Sequence, residues 1–179
     1  MNTNGTSNKM KAAVYTEYGP PEVLRLAEVS KPVPEDNEVL VRVHATTANT
    51  SDANMRGFTF VPAGFGFLPR LMFGITAPKK PILGTVFAGQ IEAIGKDVTL
   101  YKVGDRLFGS SSYDMGAYAE YLCLAEDSFM TTLPAGVTYE EAAAIPHGAH
   151  TALYFIRDKG QVQQGQKVLI IGASGSIGT

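Results

Sequence analysis

The stretch Gly172-Ala173-Ser174-Gly175-Ser176-Ile177-Gly178-Thr179 is the part of this sequence whose spacing most directly suggests chemistry. It follows Val168-Leu169-Ile170-Ile171, a continuous apolar run of the kind that a strand buried on both faces of a parallel sheet presents. A short glycine turn handing such a strand to a helix N-terminus aims backbone N–H groups at an anion. Gly175 would let the backbone approach a pyrophosphate, and Gly178 would allow close helix-on-strand packing. Ala173, Ser174, Ser176 and Ile177 would complete the cradle. Glycine-rich turns are common, so the placement directly after the apolar run carries the inference.

A second candidate is the pair His147 and His150, at helical spacing beside Pro146. Histidine titrates near neutrality, so His147 facing a cleft would donate a proton to a reduced substrate. The plainer reading, an exposed or hydrogen-bonded helix residue, is the favoured one, and the sequence leaves both open. His44 follows Arg42 on the polar side of an alternating run and reads as solvated. Cys123, the single cysteine, lies in an alternating run with no basic neighbour to activate it, so it reads as a small buried hydrophobe. One cysteine excludes an internal disulfide and any Cys-rich zinc site, and it fits a cytoplasmic location.

The elements that must position these groups are mostly short strands. Strands are expected at Lys11–Thr16 and Leu24–Val29, separated by a turn at Gly19-Pro20-Pro21, and at Glu38–Ala45, where polar and apolar residues alternate. Further strands are expected at Val86–Gly95, after the turn at Lys102–Asp105, within Gly116–Leu124, and at Phe129–Leu133. Between Asn54 and Pro81 lies an aromatic, Gly- and Pro-containing stretch without a clean period, either packed over the core or lining an apolar pocket. Thr138 and Glu141 form a capping box for a helix that Pro146 interrupts and that resumes through Thr151–Ile156. Many short strands with Gly/Pro turns predict a mainly β, barrel-like domain, followed by the first helix, strand and glycine turn of an α/β unit.

Composition narrows the function classes. The 179 residues are 45% hydrophobic and 18% charged, which is ordinary for a folded protein. A net charge of −2 offers no overall basic surface for nucleic acid and no polybasic stretch for an anionic membrane. No apolar run approaches the ~20 residues needed to span a bilayer. Residues 1–9 are polar and read as a disordered tail, and the glycosylation-like Asn4-Gly5-Thr6 within it carries no weight without a secretory signal.

Several ordered segments carry a family resemblance: Met10-Lys11-Ala12 with Tyr18-Gly19-Pro20-Pro21, Lys79 to Gly109, Gly116 to Tyr121, Glu140 to Ala144, and the glycine turn. Together they resemble the zinc-independent quinone oxidoreductase branch of the medium-chain dehydrogenase/reductase superfamily. The resemblance implies a GroES-like β-barrel domain over residues 10–137 and the start of a Rossmann domain over 138–179, with substrate bound in the cleft between them. It implies hydride transfer from NADPH or NADH to a quinone, enone or related carbonyl compound. Asn49, Ser51 and Asp52 match family positions near the substrate, and Thr151 matches one near the nicotinamide. Asp52 is equally a candidate structural acceptor. Asn54 stands where this branch often has a tyrosine.

Zinc-dependent relatives carry a cysteine at the position of Asn49, a His-Glu pair at Thr85-Val86 after Gly84, and a third ligand near His147. One potential ligand of three does not hold a catalytic zinc, so no metal is expected. A complete doubly wound domain needs on the order of 150 further residues, so the chain is expected to end as its dinucleotide-binding domain begins and to be inactive alone. Two other readings stay open: a zinc-free alcohol or aldehyde reductase, and a free-standing GroES-like interaction module. The apolar run Val168–Ile171 is expected to support self-association, and neither nucleic acid nor membrane is expected as a partner.

Overall fold

The computed structural model describes residues 8–62 and 65–178. The sequon-like Asn4-Gly5-Thr6 and most of the expected tail lie outside the described residues. The tail is shorter than expected at its far end, because Lys9 already belongs to a strand. Strands β1 (Lys9–Val14) and β2 (Arg25–Ser30) form an antiparallel pair in which Met10 faces Val29 and Val14 faces Arg25. The proline turn between them tightens into a short 3-10 segment, Pro21–Val23, with Pro21 at its first position, where no N–H is needed.

Five further strands make one antiparallel sheet: β3 (Glu38–Thr46), β4 (Val86–Ile94), β5 (Arg106–Ser110), β6 (Tyr121–Ala125) and β7 (Met130–Thr132). Their order is β6-β3-β4-β5-β7. The alternation read along β3 breaks in the middle, where Val39, Leu40 and Val41 are all buried. Val39 and Val41 still share the main core while Leu40 between them is buried on the opposite face, and the register shift beside them leaves an extra residue, Glu92, on β4. Gly89 on β4 is needed where it stands, because a Cβ there would collide with the Arg42 carbonyl of β3. Val39, Val41, Phe87, Ile91, Leu107, Leu122 and Leu124 pack into the main core. The β1–β2 pair is tied to this sheet through Ala13 N–H to Tyr118 O (2.8 Å), Glu120 N–H to Lys11 O (3.0 Å) and the bridges Ala12–Ala119 and Val14–Ile82. The result is the mainly β, GroES-like architecture expected.

The Asn54–Pro81 stretch is not wholly irregular. It holds the second half of α1 (Thr50–Gly57) and all of α2 (Phe67–Phe73). Helix α3 (Tyr139–Leu153) starts on the expected box, with Thr138 Oγ1 accepting from Glu141 N–H (3.2 Å) and Glu141 Oε2 accepting from Thr138 N–H (2.9 Å). Pro146 does not interrupt it. The helix runs through the proline and ends in a π-helical turn, Tyr154–Lys159. Proline removes one backbone bond there, but Ala142 and Ala143 are packed against Ala88 and Leu133, and that tertiary contact holds the helix together.

The run Val168–Ile171 departs from expectation: it forms no strand and is not buried, with Leu169 85% and Ile171 90% exposed. A parallel strand takes its hydrogen bonds from neighbours on both edges, and among the described residues no strand lies beside it. No described helix is long and apolar enough to cross a membrane.

Candidate active site

Helix α1 presents the first group of candidate residues at the end of the turn that leaves β3. Asn49 is its N-cap: its Oδ1 accepts from Asp52 N–H (3.1 Å), and Asp52 Oδ2 accepts from Asn49 N–H (3.2 Å). Both side chains therefore satisfy amide groups that a helix start leaves without partners. Asp52 is buried and takes a further bond from the Tyr118 hydroxyl at 2.9 Å. The same hydroxyl lies 3.3 Å from Thr47 O. Burial, reinforced by the Asp52 charge, pushes the Tyr118 phenol well above its ordinary pKa, so it stays a donor. The acceptor role left open for Asp52 is thus filled. Ser51 lies exposed on the first turn of α1.

Asn49 also reaches across to β4. Its Nδ2 lies 3.5 Å from Thr85 Oγ1, a long contact at the edge of hydrogen-bond range. Gly84, just before Thr85, has φ +93, and a Cβ on it would stand 2.5 Å from Tyr118 Cδ1. The glycine thus lets Tyr118 slide in beside Asp52. Asn49 and Thr85 carry an amide and a hydroxyl, which bind zinc poorly compared with thiolate, imidazole or carboxylate. No group of three His, Cys, Asp or Glu side chains suited to a metal occurs among the described residues.

The second group lies along α3 and the C-terminal segment. A cleft of about 730 Å³ is lined by Thr50, His147, Ala152, Phe155, Ile156 and the residues from Val168 through Gly172, together with Gly175 to Gly178. It brings His147, the start of α1 and the glycine turn to one place. His150 turns elsewhere: its ring packs edge-on against Phe129 at 4.5 Å and lines a separate apolar cavity with Phe108, Pro146 and Leu153. The two histidines do not form one site. The Thr151 hydroxyl bonds back to His147 O (2.9 Å), a local use of its polarity.

The glycine turn is closed on itself. Gly175 N–H donates to Gly172 O (3.0 Å) and Gly178 N–H to Gly175 O (2.9 Å). A Cβ on Gly178 would stand 2.5 Å from Gly172 O, so its lack of a side chain lets the turn close. Gly148 on α3 is buried against the turn, and a Cβ there would collide with Ser176 O. Tyr118 and Gly148 are the contributors that sequence reasoning passed over. Tyr118 stood inside a family-like segment, but nothing along the chain links it to Asp52.

The alcohol dehydrogenase GroES-like domain profile matches residues 35–146. The chain belongs to this family. Within it, human quinone oxidoreductase is 35% identical over 174 residues, aligned with 94% of this chain and 47% of that protein. The structure of the quinone oxidoreductase from Coxiella burnetii superposes with a TM-score of 0.79 at 30% identity, covering 95% of this chain and 51% of the other. The Escherichia coli quinone oxidoreductase complexed with NADPH superposes with a TM-score of 0.77 at 27% identity, over 94% and 47% of the two chains. This GroES-like chain is quinone oxidoreductase-like, a member of the medium-chain dehydrogenase/reductase superfamily. It spans about half the length of the curated relatives it matches.

Proposed function

We propose that this domain is the substrate side of a zinc-independent NAD(P)H-dependent oxidoreductase that transfers hydride to a quinone, enone or related carbonyl compound. The observation that carries the reading is the cleft where Thr50, His147 and the glycine turn meet. Quinone oxidoreductases among the relatives support it, as does the NADPH bound by the Escherichia coli neighbour.

When bound, the nicotinamide supplies a hydride. The chain's own residues orient the acceptor and handle the proton. His147 is the proposed proton donor to the reduced oxygen. Asn49 and Asp52 hold the start of α1, so that Thr50 and Ser51 face the substrate. Thr151 and the backbone from Ala173 to Gly178, including Ser174, Ser176 and Ile177, are the proposed contacts to the dinucleotide. The domain division proposed is a substrate domain over 10–137 and dinucleotide-binding residues over 138–179.

By itself the 179-residue chain is proposed to hold the dinucleotide weakly, because amides of the turn already bond within it. Calorimetric titration of this chain with NADPH should show no saturation at micromolar concentration. The protein that carries the domain should oxidise NADPH in the presence of a benzoquinone, and His147→Gln should lower kcat more than it changes KM. A protein that consumes no NADPH with any quinone, enone or aldehyde would instead favour a free-standing interaction module.

A further inference from the structure

Helix α2 wears its amphipathicity inside out. At about 100° per residue, Phe67, Leu68, Leu71 and Met72 fall on one side, and Ile75 beyond the helix end is exposed as well. They face solvent, with Phe67 79%, Leu68 66% and Met72 66% exposed. Arg70, the cation of the helix, points inward instead. Its guanidinium stacks 4.4 Å from the Phe58 ring and 5.5 Å from the Tyr18 ring. Phe73 packs inward with it, edge-on to Phe60 at 5.6 Å and beside Tyr18 and Tyr15. A helix that turns its charge toward the domain and exposes an apolar stripe presents a face suited to a non-aqueous surface.

The charge around that face selects the surface. Between Asp52 and Glu92 the chain has no Asp or Glu, but it has Arg56, Arg70, Lys79 and Lys80. The net charge of −2 therefore conceals a basic, apolar segment. The cations also cover backbone oxygens at the helix end: Arg70 Nη1 donates to Ile75 O (2.7 Å) and Lys79 Nζ to Leu71 O (2.7 Å). Carbonyls satisfied in this way can enter an interfacial layer without losing water as their partner. Among the described residues, Asp114 meets the rim, paired with Lys80 at 2.8 Å. A second copy packed face to face would set like charges against each other, whereas acidic headgroups complement them.

We propose that the α2 face formed by Phe67, Leu68, Leu71, Met72 and Ile75 docks into the headgroup region of an anionic lipid surface, with the rest of the domain in water. This inference is independent of the proposed enzymatic activity. It runs against the expectation, drawn from whole-chain charge, that no membrane is a partner. Insertion of apolar side chains supplies one source of affinity, and Lys79 and Lys80 beside Met72 supply the second that stable anchoring requires.

The chain has no tryptophan, so Met72→Trp places a lone fluorophore on the face. The full chain would be mixed with vesicles of phosphatidylcholine alone or of phosphatidylcholine and phosphatidylserine in equal parts. We expect co-sedimentation with the anionic vesicles, about tenfold or more weaker binding to the neutral ones, and loss of binding at high salt. The Trp emission should shift to the blue on binding and be quenched by brominated lipid. Leu68→Glu with Leu71→Glu, both on the solvent side, should abolish binding while circular dichroism stays unchanged. Failure of the parent chain to bind either vesicle would overturn the proposal. So would undiminished binding of the double variant, since another apolar surface would then be responsible. A blue shift without lipid, together with a dimer in sedimentation, would overturn it in favour of a second copy.

Discussion

The Tyr118 hydroxyl donates to Asp52 Oδ2 at 2.9 Å across 66 positions of sequence, joining the strand-edge segment before β6 to the first turn of α1. The acceptor is buried and also caps the helix. Removing the donor leaves a buried carboxyl oxygen with one bond fewer, which costs about 1–3 kcal/mol. Tyr118→Phe should therefore lower the urea midpoint with little change in slope. An unchanged midpoint would mean that water replaces the phenol.

The start of α3 should respond to acid. Bonds from the Thr138 backbone and hydroxyl hold Glu141 below its ordinary 4.5. A depressed folded value means the contribution is present above the unfolded pKa and is lost as pH falls through the folded one. An NMR titration should find the Glu141 midpoint lowered in the parent chain and moved back toward normal in Thr138→Ala. That variant should also lose about 1 kcal/mol of stability with its cap.

Cys123 should be inert in the folded chain. Burial first, then the charges of Glu38 and Glu35, pushes its thiol up to about 12, leaving almost no thiolate at neutral pH. Alkylation by iodoacetamide should be slow at pH 8 and fast after unfolding in urea. The folded value lies above the ordinary 9.0, so this stability is intact below that pH and fades as pH rises toward 12. Rapid alkylation of the native chain would show that β6 opens readily.

The proposed zinc independence rests on Asn49 and Thr85, whose amide and hydroxyl are poor zinc ligands. Elemental analysis of the purified chain should find no stoichiometric zinc. One tightly held zinc per chain would overturn the assignment.

The proposed self-association rests on the exposure of Val168 to Ile171. Each large aliphatic side chain left in water forgoes roughly 1.5–3 kcal/mol of burial. Light scattering should show concentration-dependent association of the parent chain and its loss in Leu169→Lys with Ile171→Lys. A parent chain that stays monomeric over the range would sink the idea.

Much of this architecture was legible along the chain because its signals are local. Alternation marked β3, Thr138 with Glu141 marked the start of α3, and Gly19-Pro20-Pro21 marked a turn. Each acts through neighbours a few residues apart, so a short window holds the physics. What tertiary structure alone decided is non-local. Pro146 passes inside a helix because Ala142 and Ala143 are packed against the sheet, a contact absent from the local window. Asp52 is an acceptor because Tyr118 arrives from 66 positions away, through space that Gly84 leaves open. His147 and His150, equivalent in spacing, line different cavities because α3 is wedged between the sheet and the C-terminal segment. The apolar run Val168–Ile171 has the composition of a buried strand. A strand, however, is made by the partners that bond its edges, and composition does not supply them.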